Sequence, residues 1–215
     1  MFIDSLIVGP YQTNCYIYGN EETKSAWIID PGANADKIIS TLKKREVKPV
    51  SVLLTHGHWD HIMGLPKLVE KYPSIEIFIG EKDLDYLGSK GKNFIKEHCF
   101  DLTFLQSFEK EIESLPEFDY LLKDNDFLDD CKFKVITTPG HTPGGVCYYN
   151  EENNILFSGD TLFASSIGRW DLYGGNYNEL IQSLEKIMKL DDEVIVLPGH
   201  GPKTSIKQEK NNPYF

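Results

Sequence analysis

Three histidines and one aspartate fall within six consecutive positions, His56-Gly57-His58-Trp59-Asp60-His61. The run follows Val50-Ser51-Val52-Leu53-Leu54, an apolar segment suited to a buried strand, so the cluster sits where the chain leaves a sheet. Alternate residues of an extended segment point the same way, so His56 and His58 can converge on one ion. Asp60 and His61 lie past the bend, where they can serve a second ion about 3.5–4 Å away. Imidazole and carboxylate suit zinc, iron or manganese better than calcium or magnesium alone. A polar turn would account for one histidine that merely hydrogen-bonds. It accounts poorly for four ligand-type side chains in six positions.

Three further segments share one grammar, a strand followed by a glycine-bearing turn with one ligand-type residue. They are Thr138-Pro139-Gly140-His141-Thr142, Ser158-Gly159-Asp160-Thr161 and Leu197-Pro198-Gly199-His200-Gly201. Each is weak alone, because Gly-Asp and Gly-His turns are common. Together with the first run they supply seven candidate ligands on four loops: His56, His58, Asp60, His61, His141, Asp160 and His200.

The elements that must carry these loops can be read from periodicity and breakers. Short β-rich runs over 2–8, 13–18 and 26–29 are separated by Gly9-Pro10 and Gly19-Asn20. Residues 35–46 place Ile38, Ile39 and Leu42 at helical spacing, and a short helix is expected over 65–72 before a strand over 75–79. From Tyr120 the pattern returns to strands, at 132–138, 146–149 and 154–157. A helix over 178–189 carries Leu180, Ile181, Leu184, Ile187 and Met188 on one stripe, and a last strand covers 193–197. Residues 81–117 are charged and aromatic with no clean period, which predicts irregular helices. Phe94, Phe100, Phe104 and Phe108 there either cover a site or anchor the segment.

The segments THGHWDH, GHT, GDTLF and PGHG, in this order over residues 55–202, resemble the metallo-β-lactamase-fold hydrolases. GDTLFASSIGRWDLYGG with VLPGHGPKTS resembles the small, single-domain glyoxalase II-like branch of that family. The resemblance implies an α/β fold, a four-layer αββα sandwich of two mixed β-sheets flanked by helices. It implies one domain over 1–215, with a variable insertion at about 90–117. It places a first metal on His56, His58 and His141 and a second on Asp60, His61 and His200, with Asp160 bridging both. Zinc is the first expectation for the two divalent ions, and iron or manganese fits the same donors. Lactamases proper usually lack the Asp-His pair and carry a cysteine where this chain has Asp160, which speaks against β-lactam cleavage. Asp30, at the end of Trp27-Ile28-Ile29-Asp30-Pro31-Gly32, either orients a ligand imidazole or caps the turn.

Two divalent ions sharing a water lower its pKa toward ~7, which supplies hydroxide at neutral pH without a side-chain base. No Gly-x-Ser-x-Gly elbow is present, so metal-dependent hydrolysis is the economical chemistry. Asp60 is the candidate proton acceptor. The resemblance implies a thioester of the acyl-glutathione kind. The 14 residues Pro202–Phe215 after Gly201 are too few for the C-terminal helical domain that helps the best-known glyoxalase II enzymes hold glutathione. The alternative is a persulfide dioxygenase-like enzyme with a single iron on His56, His141 and Asp160. A lactonase, a nuclease and a non-catalytic metal-binding protein fit less well. Arg169 either pairs with Asp171 or meets a substrate anion, and His98 reads as a surface residue.

Composition bounds the partners. Twenty-two lysines and arginines against 33 aspartates and glutamates leave a net charge of -11, which disfavours a phosphate-backbone partner. The expected partner is a small-molecule substrate, with no nucleic acid and no membrane, on a monomer or homodimer. The absence of a basic leader or a bilayer-length apolar run, with four dispersed cysteines, leads us to expect a cytoplasmic protein.

Overall fold

The computed structural model describes residues 1–212 and 214. The chain divides into two compact units, Met1–Ile79 with Leu84–Leu121 and Gly80–Asp83 with Leu122–Phe215.

The first unit is built on the strands β1 (Phe2–Val8), β2 (Thr13–Asn20), β3 (Ser25–Ile29), β4 (Lys48–Leu53), β5 (Glu76–Gly80) and β6 (Tyr120–Leu122). They form one sheet in that order. β1 to β3 pair antiparallel and β3 to β5 parallel, so the sheet is mixed. The parallel pairs need crossovers, and helices supply them. α1 (Ala35–Arg45) joins β3 to β4, and α2 (Trp59–Ile62) with α3 (Leu65–Lys71) joins β4 to β5. The spacing of Ile38, Ile39 and Leu42 does define the buried face of α1. The helix stops at Glu46, whose left-handed backbone (φ 55°) returns its N–H to the carbonyls of Leu42 and Lys43. The irregular segment resolves into a 3-10 helix (Glu81–Tyr86), then α4 (Gly88–His98), α5 (Leu102–Ser107) and α6 (Glu109–Glu113). Phe104, Ile95 and Ile112 from these helices join the same hydrophobic core as Ile17, Ile28 and Val52 of the sheet.

The second unit holds β7 (Phe127–Leu128), β8 (Phe133–Thr137), β9 (Val146–Asn150), β10 (Ile155–Gly159), β13 (Ile195–Pro198) and β14 (Thr204–Ser205). Their order in the sheet is β14-β13-β10-β9-β8-β7. β10 and β13 are parallel and the other pairs antiparallel. A small hairpin, β11 (Leu162–Phe163) with β12 (Ser166–Ile167), interrupts the crossover. α7 (Tyr177–Ile187) completes it, and α8 (Ile206–Glu209) follows β14. Leu180, Leu184 and Ile187 of α7 bury against Cys147, Leu156 and Val196 of the sheet. The sequence pattern does not announce β7, β11, β12 and β14. Each has two residues, too short for an alternation to show. Among the described residues no helix is long and apolar enough to cross a membrane.

The two mixed sheets flanked by helices agree with the expected fold class. Their registers also explain where the candidate ligands emerge. β3 and β4 run in parallel with Ile29 opposite Leu53, so Asp30 and the segment after Leu53 leave the sheet side by side. β10 and β13 run in parallel with Gly159 opposite Pro198, so Asp160 and His200 leave adjacent strand ends. Polar groups at the carboxyl ends of parallel strands are a recurring site architecture.

Candidate metal centre

In the first unit the chain changes conformation inside the histidine run. His58 is extended (φ -60°, ψ 144°) and serves as the N-cap of α2, and its carbonyl accepts the N–H of His61 at 2.9 Å. That switch separates an extended His-x-His pair from a helical Asp-His pair, as the spacing suggests. The rings of His56 and His58 lie 4.8 Å apart, and those of His56 and His61 lie 4.2 Å apart. His56, His58 and His61 are all buried.

Asp30 organises this cluster. Its Oδ1 accepts the N–H of Thr55 at 2.8 Å, and its Oδ2 accepts the Thr55 hydroxyl at 2.6 Å and Nδ1–H of His61 at 3.0 Å. Donor atoms of Asp30, His56 and His61 lie within 4.8 Å of one another. Asp30 meets His61 at Nδ1 while Nε2 of the same ring lies at Asp60, so its contact is with the imidazole's other nitrogen, as a group that orients the ring would make. It takes a left-handed backbone (φ 50°), an uncommon conformation that surrounding contacts must hold in place. Of the two roles the sequence allows Asp30, the structure displays the orienting one. It also shows Gly32 N–H bonded to the Asp30 carbonyl at 2.8 Å, so the turn is closed by backbone rather than by the side chain.

A proton on Nδ1 leaves the His61 lone pair on Nε2, which lies 3.5 Å from Oδ2 of Asp60. The hydroxyl of Thr13, itself buried, holds that same Oδ2 at 3.1 Å. Thr13 and Thr55 carry no signal in the sequence. Thr13 lies 47 positions from its partner, and only the pairing of strands reveals it.

In the second unit His141 rides the turn between β8 and β9. Its Nδ1–H donates to the carbonyl of Arg169 at 2.7 Å, so its Nε2 bears the lone pair. That Nε2 lies 3.5 Å from Oδ2 of Asp160, and Nε2 of His200 lies 3.5 Å from the same oxygen. Gly168 makes the approach possible. A Cβ there would sit 1.8 Å from the Asp160 carbonyl oxygen and 3.4 Å from Cβ of His141. The Arg169 side chain forms a bidentate pair with Asp171, at 2.8 and 2.9 Å, which is the structural pairing the sequence allows it. That pairing pulls the Asp171 carboxyl below its usual range. The useful group of Arg169 is thus its main-chain oxygen, which no motif singles out.

These distances test the donor set for a metal. In His61 with Asp60, and in His141 with Asp160, an imidazole lone pair faces an anionic oxygen at 3.5 Å. A neutral imidazole and a carboxylate held face to face repel unless a metal ion or a proton lies between them. Two ligands of one tetrahedral ion, with bonds of about 2.1 Å, stand about 3.4 Å apart. The observed spacing matches such an edge of a coordination shell, so these clusters are able to hold a metal, and neutral imidazole with carboxylate suits a divalent transition metal.

Aromatic rings surround the histidine run. Tyr86 lies against His58 with ring centroids 5.8 Å apart, and Phe94 lies 4.5 Å from Tyr86 and 4.5 Å from His98. Trp59 packs on Phe100 at 5.8 Å and Phe104 at 6.5 Å. Phe104 is buried and stacks on Phe108, so it anchors the segment, whereas Phe100 is 58% exposed. Tyr11 donates to Asp101, the N-cap of α5, at 2.5 Å and ties the β1–β2 turn to the same segment. Burial and that carboxylate push the Tyr11 phenol up, and the bond holds Asp101 below its usual range.

The model of the metallo-beta-lactamase superfamily matches residues 8–200. A hydroxyacylglutathione hydrolase, GloC, from Haemophilus influenzae is 34% identical over 227 residues, covering 100% of this chain and 98% of that protein. Among solved structures, the B3 metallo-beta-lactamase BLEG-1 superposes with a TM-score of 0.85 at 35% identity, over 99% of each chain. TTHA1623 in a di-iron-bound form gives 0.82 at 30% identity, over 99% of this chain and 100% of that one. With the matched model spanning nearly the whole sequence and the His-x-His-x-Asp-His run in place, this chain belongs to the metallo-beta-lactamase superfamily of metal-dependent hydrolases.

Proposed function

We propose that the chain hydrolyses thioesters of the acyl-glutathione kind at a two-metal centre. The observation that carries this reading is Oδ2 of Asp160, which lies 3.5 Å from Nε2 of both His141 and His200. One oxygen within a ligand edge of two imidazoles suits a carboxylate shared by two ions. In this assignment His56, His58 and His141 would hold one ion, Asp60, His61 and His200 would hold the other, and Asp160 would serve both. When bound, such a pair polarises a carbonyl and provides a nucleophile from water at neutral pH. The di-iron-bound form of TTHA1623, 30% identical to this chain, supports a reading with two ions, and the same donors accept zinc or manganese.

The protein's own groups supply the rest. Asp30 and the Arg169 carbonyl keep the Nδ1 protons of His61 and His141 in place, so that Nε2 is the ligand atom each offers. Asp60, whose Oδ2 is held by the Thr13 hydroxyl, is the carboxylate that would take the proton of the attacking water. Substrate class rests on the name of the Haemophilus relative, at 34% identity over the full chain.

The test is a panel assay on protein reloaded separately with zinc, iron and manganese. Lactoylglutathione, a lactone, a β-lactam and glutathione persulfide are offered in turn. Thioester hydrolysis with kcat/KM above about 10⁴ M⁻¹s⁻¹ is the expected result. Oxygen uptake on persulfide by protein with one iron, or β-lactam opening with no thioester turnover, overturns the reading.

A further inference from the structure

Asp83 is a completely buried carboxylate outside the donor set. It ends the Gly80–Asp83 segment of the second unit, and its oxygens reach 59 and 61 residues along the chain. Oδ2 accepts the hydroxyl of Thr142 at 2.7 Å, and Oδ1 accepts the N–H of Gly144 at 2.6 Å. Both are short, charge-assisted bonds, and the Thr142 side that is gripped is itself fully buried. Thr142 directly follows His141. The carboxylate therefore clamps the turn one and three residues beyond the ligand.

The rest of that turn is held by backbone bonds and by the Ser183 hydroxyl, which donates to the Pro139 carbonyl at 2.7 Å. Thr138 N–H bonds to Gly145 O at 2.8 Å, Gly140 N–H to Thr142 O at 3.0 Å, and Asn176 N–H to Gly140 O at 2.8 Å. No side chain fits between clamp and turn, because a Cβ on Gly144 would lie 2.3 Å from the Asp83 nitrogen and 2.7 Å from its Oδ1. His141 is thus held twice. The Arg169 carbonyl fixes which nitrogen carries the proton, and Asp83 fixes where the backbone presents the ring.

We propose that Asp83 is a positioning residue for His141, setting its imidazole so that Nε2 stands at the ligand edge from Asp160. The inference rests on His141 being a metal ligand. It does not require that the substrate be a thioester. Without the carboxylate, the buried Gly144 N–H and Thr142 hydroxyl lose their acceptor, and the turn must shift to find water or another partner. Groups that orient a ligand from behind commonly govern metal affinity by 10- to 100-fold.

Asparagine offers an internal rescue. Its Oδ1 can accept from Gly144, and its amide can donate to Thr142, whose hydroxyl reverses its role. Full-length protein is stripped and titrated with cobalt(II), following the visible ligand-field spectrum and competition with a chelator. Wild type, Asp83→Ala, Asp83→Asn and Thr142→Val are compared. Asn150→Ala is the control, because it removes a buried bond to the Cys131 carbonyl at the far end of β9 and touches no ligand turn. Denaturant midpoints of the metal-free proteins are measured alongside.

The expected result is cobalt affinity lowered on the order of 10-fold or more in Asp83→Ala, with a changed spectrum. Asp83→Asn should restore most of it, Thr142→Val should fall between, and Asn150→Ala should lose stability alone. Wild-type affinity and spectrum in Asp83→Ala, or losses in Asn150→Ala that match it, overturn the proposal. Should Asp83→Ala fail to fold, Thr142→Val decides: an unchanged spectrum and affinity there overturn the proposal equally. Cobalt readouts are independent of the substrate panel, so an inactive but cobalt-binding wild type sinks the thioester reading and leaves this one standing.

Discussion

Replacing Asp30 by asparagine isolates the orientation of His61 from nearly everything else. Asparagine has the same shape and tolerates the left-handed backbone at φ 50°, where alanine would add a backbone penalty of about 1–2 kcal/mol. The amide has one acceptor where the carboxylate has two. If its oxygen keeps the Thr55 N–H, its NH₂ faces His61 Nδ1, and two donors meet across 3.0 Å. The imidazole then moves its proton to Nε2, the atom that must carry the lone pair toward the ligand edge at Asp60. The other rotamer strips the buried Thr55 N–H of its acceptor, a cost in folding stability that disfavours it. The first route forfeits the charge-assisted hydrogen bond to His61, worth about 1.5–3 kcal/mol. At about 1.4 kcal/mol per decade this is a 10- to 100-fold loss in affinity for the metal held through His61. Chelator competition on the stripped and reloaded variant measures the affinity, and ¹⁵N NMR of labelled histidine reports the tautomer. Affinity within twofold of wild type, with the Nδ1 proton retained, would refute the reasoning.

Three further outcomes follow from other parts of the molecule. His56→Ala and Asp160→Ala should each lower bound metal per chain and abolish most turnover, as elemental analysis with the substrate panel would show; near wild-type activity in Asp160→Ala contradicts its bridging role. Phe104→Ala should cost about 3–5 kcal/mol in denaturant unfolding, because its ring is buried among Tyr11, Trp59 and Phe108, while Phe100→Ala should stay within about 0.5 kcal/mol. Cys131 and Cys147 should resist a thiol reagent in the native state and react on unfolding, because burial pushes their thiols up to about 12 and about 11. For Cys147 the sign is clear: the raised pKa favours the folded state below the unfolded value near 9, and that contribution fades as pH rises toward 11. Rapid labelling of folded protein at neutral pH would contradict it.

Much of this protein is legible in its sequence because its chemistry is local. The run from His56 to His61 carries its own geometry: alternation in an extended segment places two imidazoles on one side, and the helix starting at Trp59 turns the next pair. The helices at Ala35–Arg45 and Tyr177–Ile187 are written in apolar spacing, because a surface helix buries one stripe whatever it packs on. Each ligand-bearing turn shows its glycine next to its histidine or aspartate.

What the sequence leaves open is everything that fixes those candidate ligands in orientation. Asp30 stands 31 residues from the imidazole it holds, Thr13 stands 47 from Asp60, Arg169 stands 28 from His141, and Asp83 stands 59 from Thr142. No periodicity links such positions. Asp30 reaches its partners because strands β3 and β4 pair in one particular register, and Asp83 reaches Thr142 because the turn after β8 closes on a segment from before β6. A one-residue slip of β3 on β4 would leave every motif intact and the His61 imidazole without its partner. The identity of the donors is thus a property of the chain, and their tautomers and edges are properties of the packed sheets, since a hydrogen bond to a ring nitrogen depends on tenths of an ångström that only tertiary structure supplies.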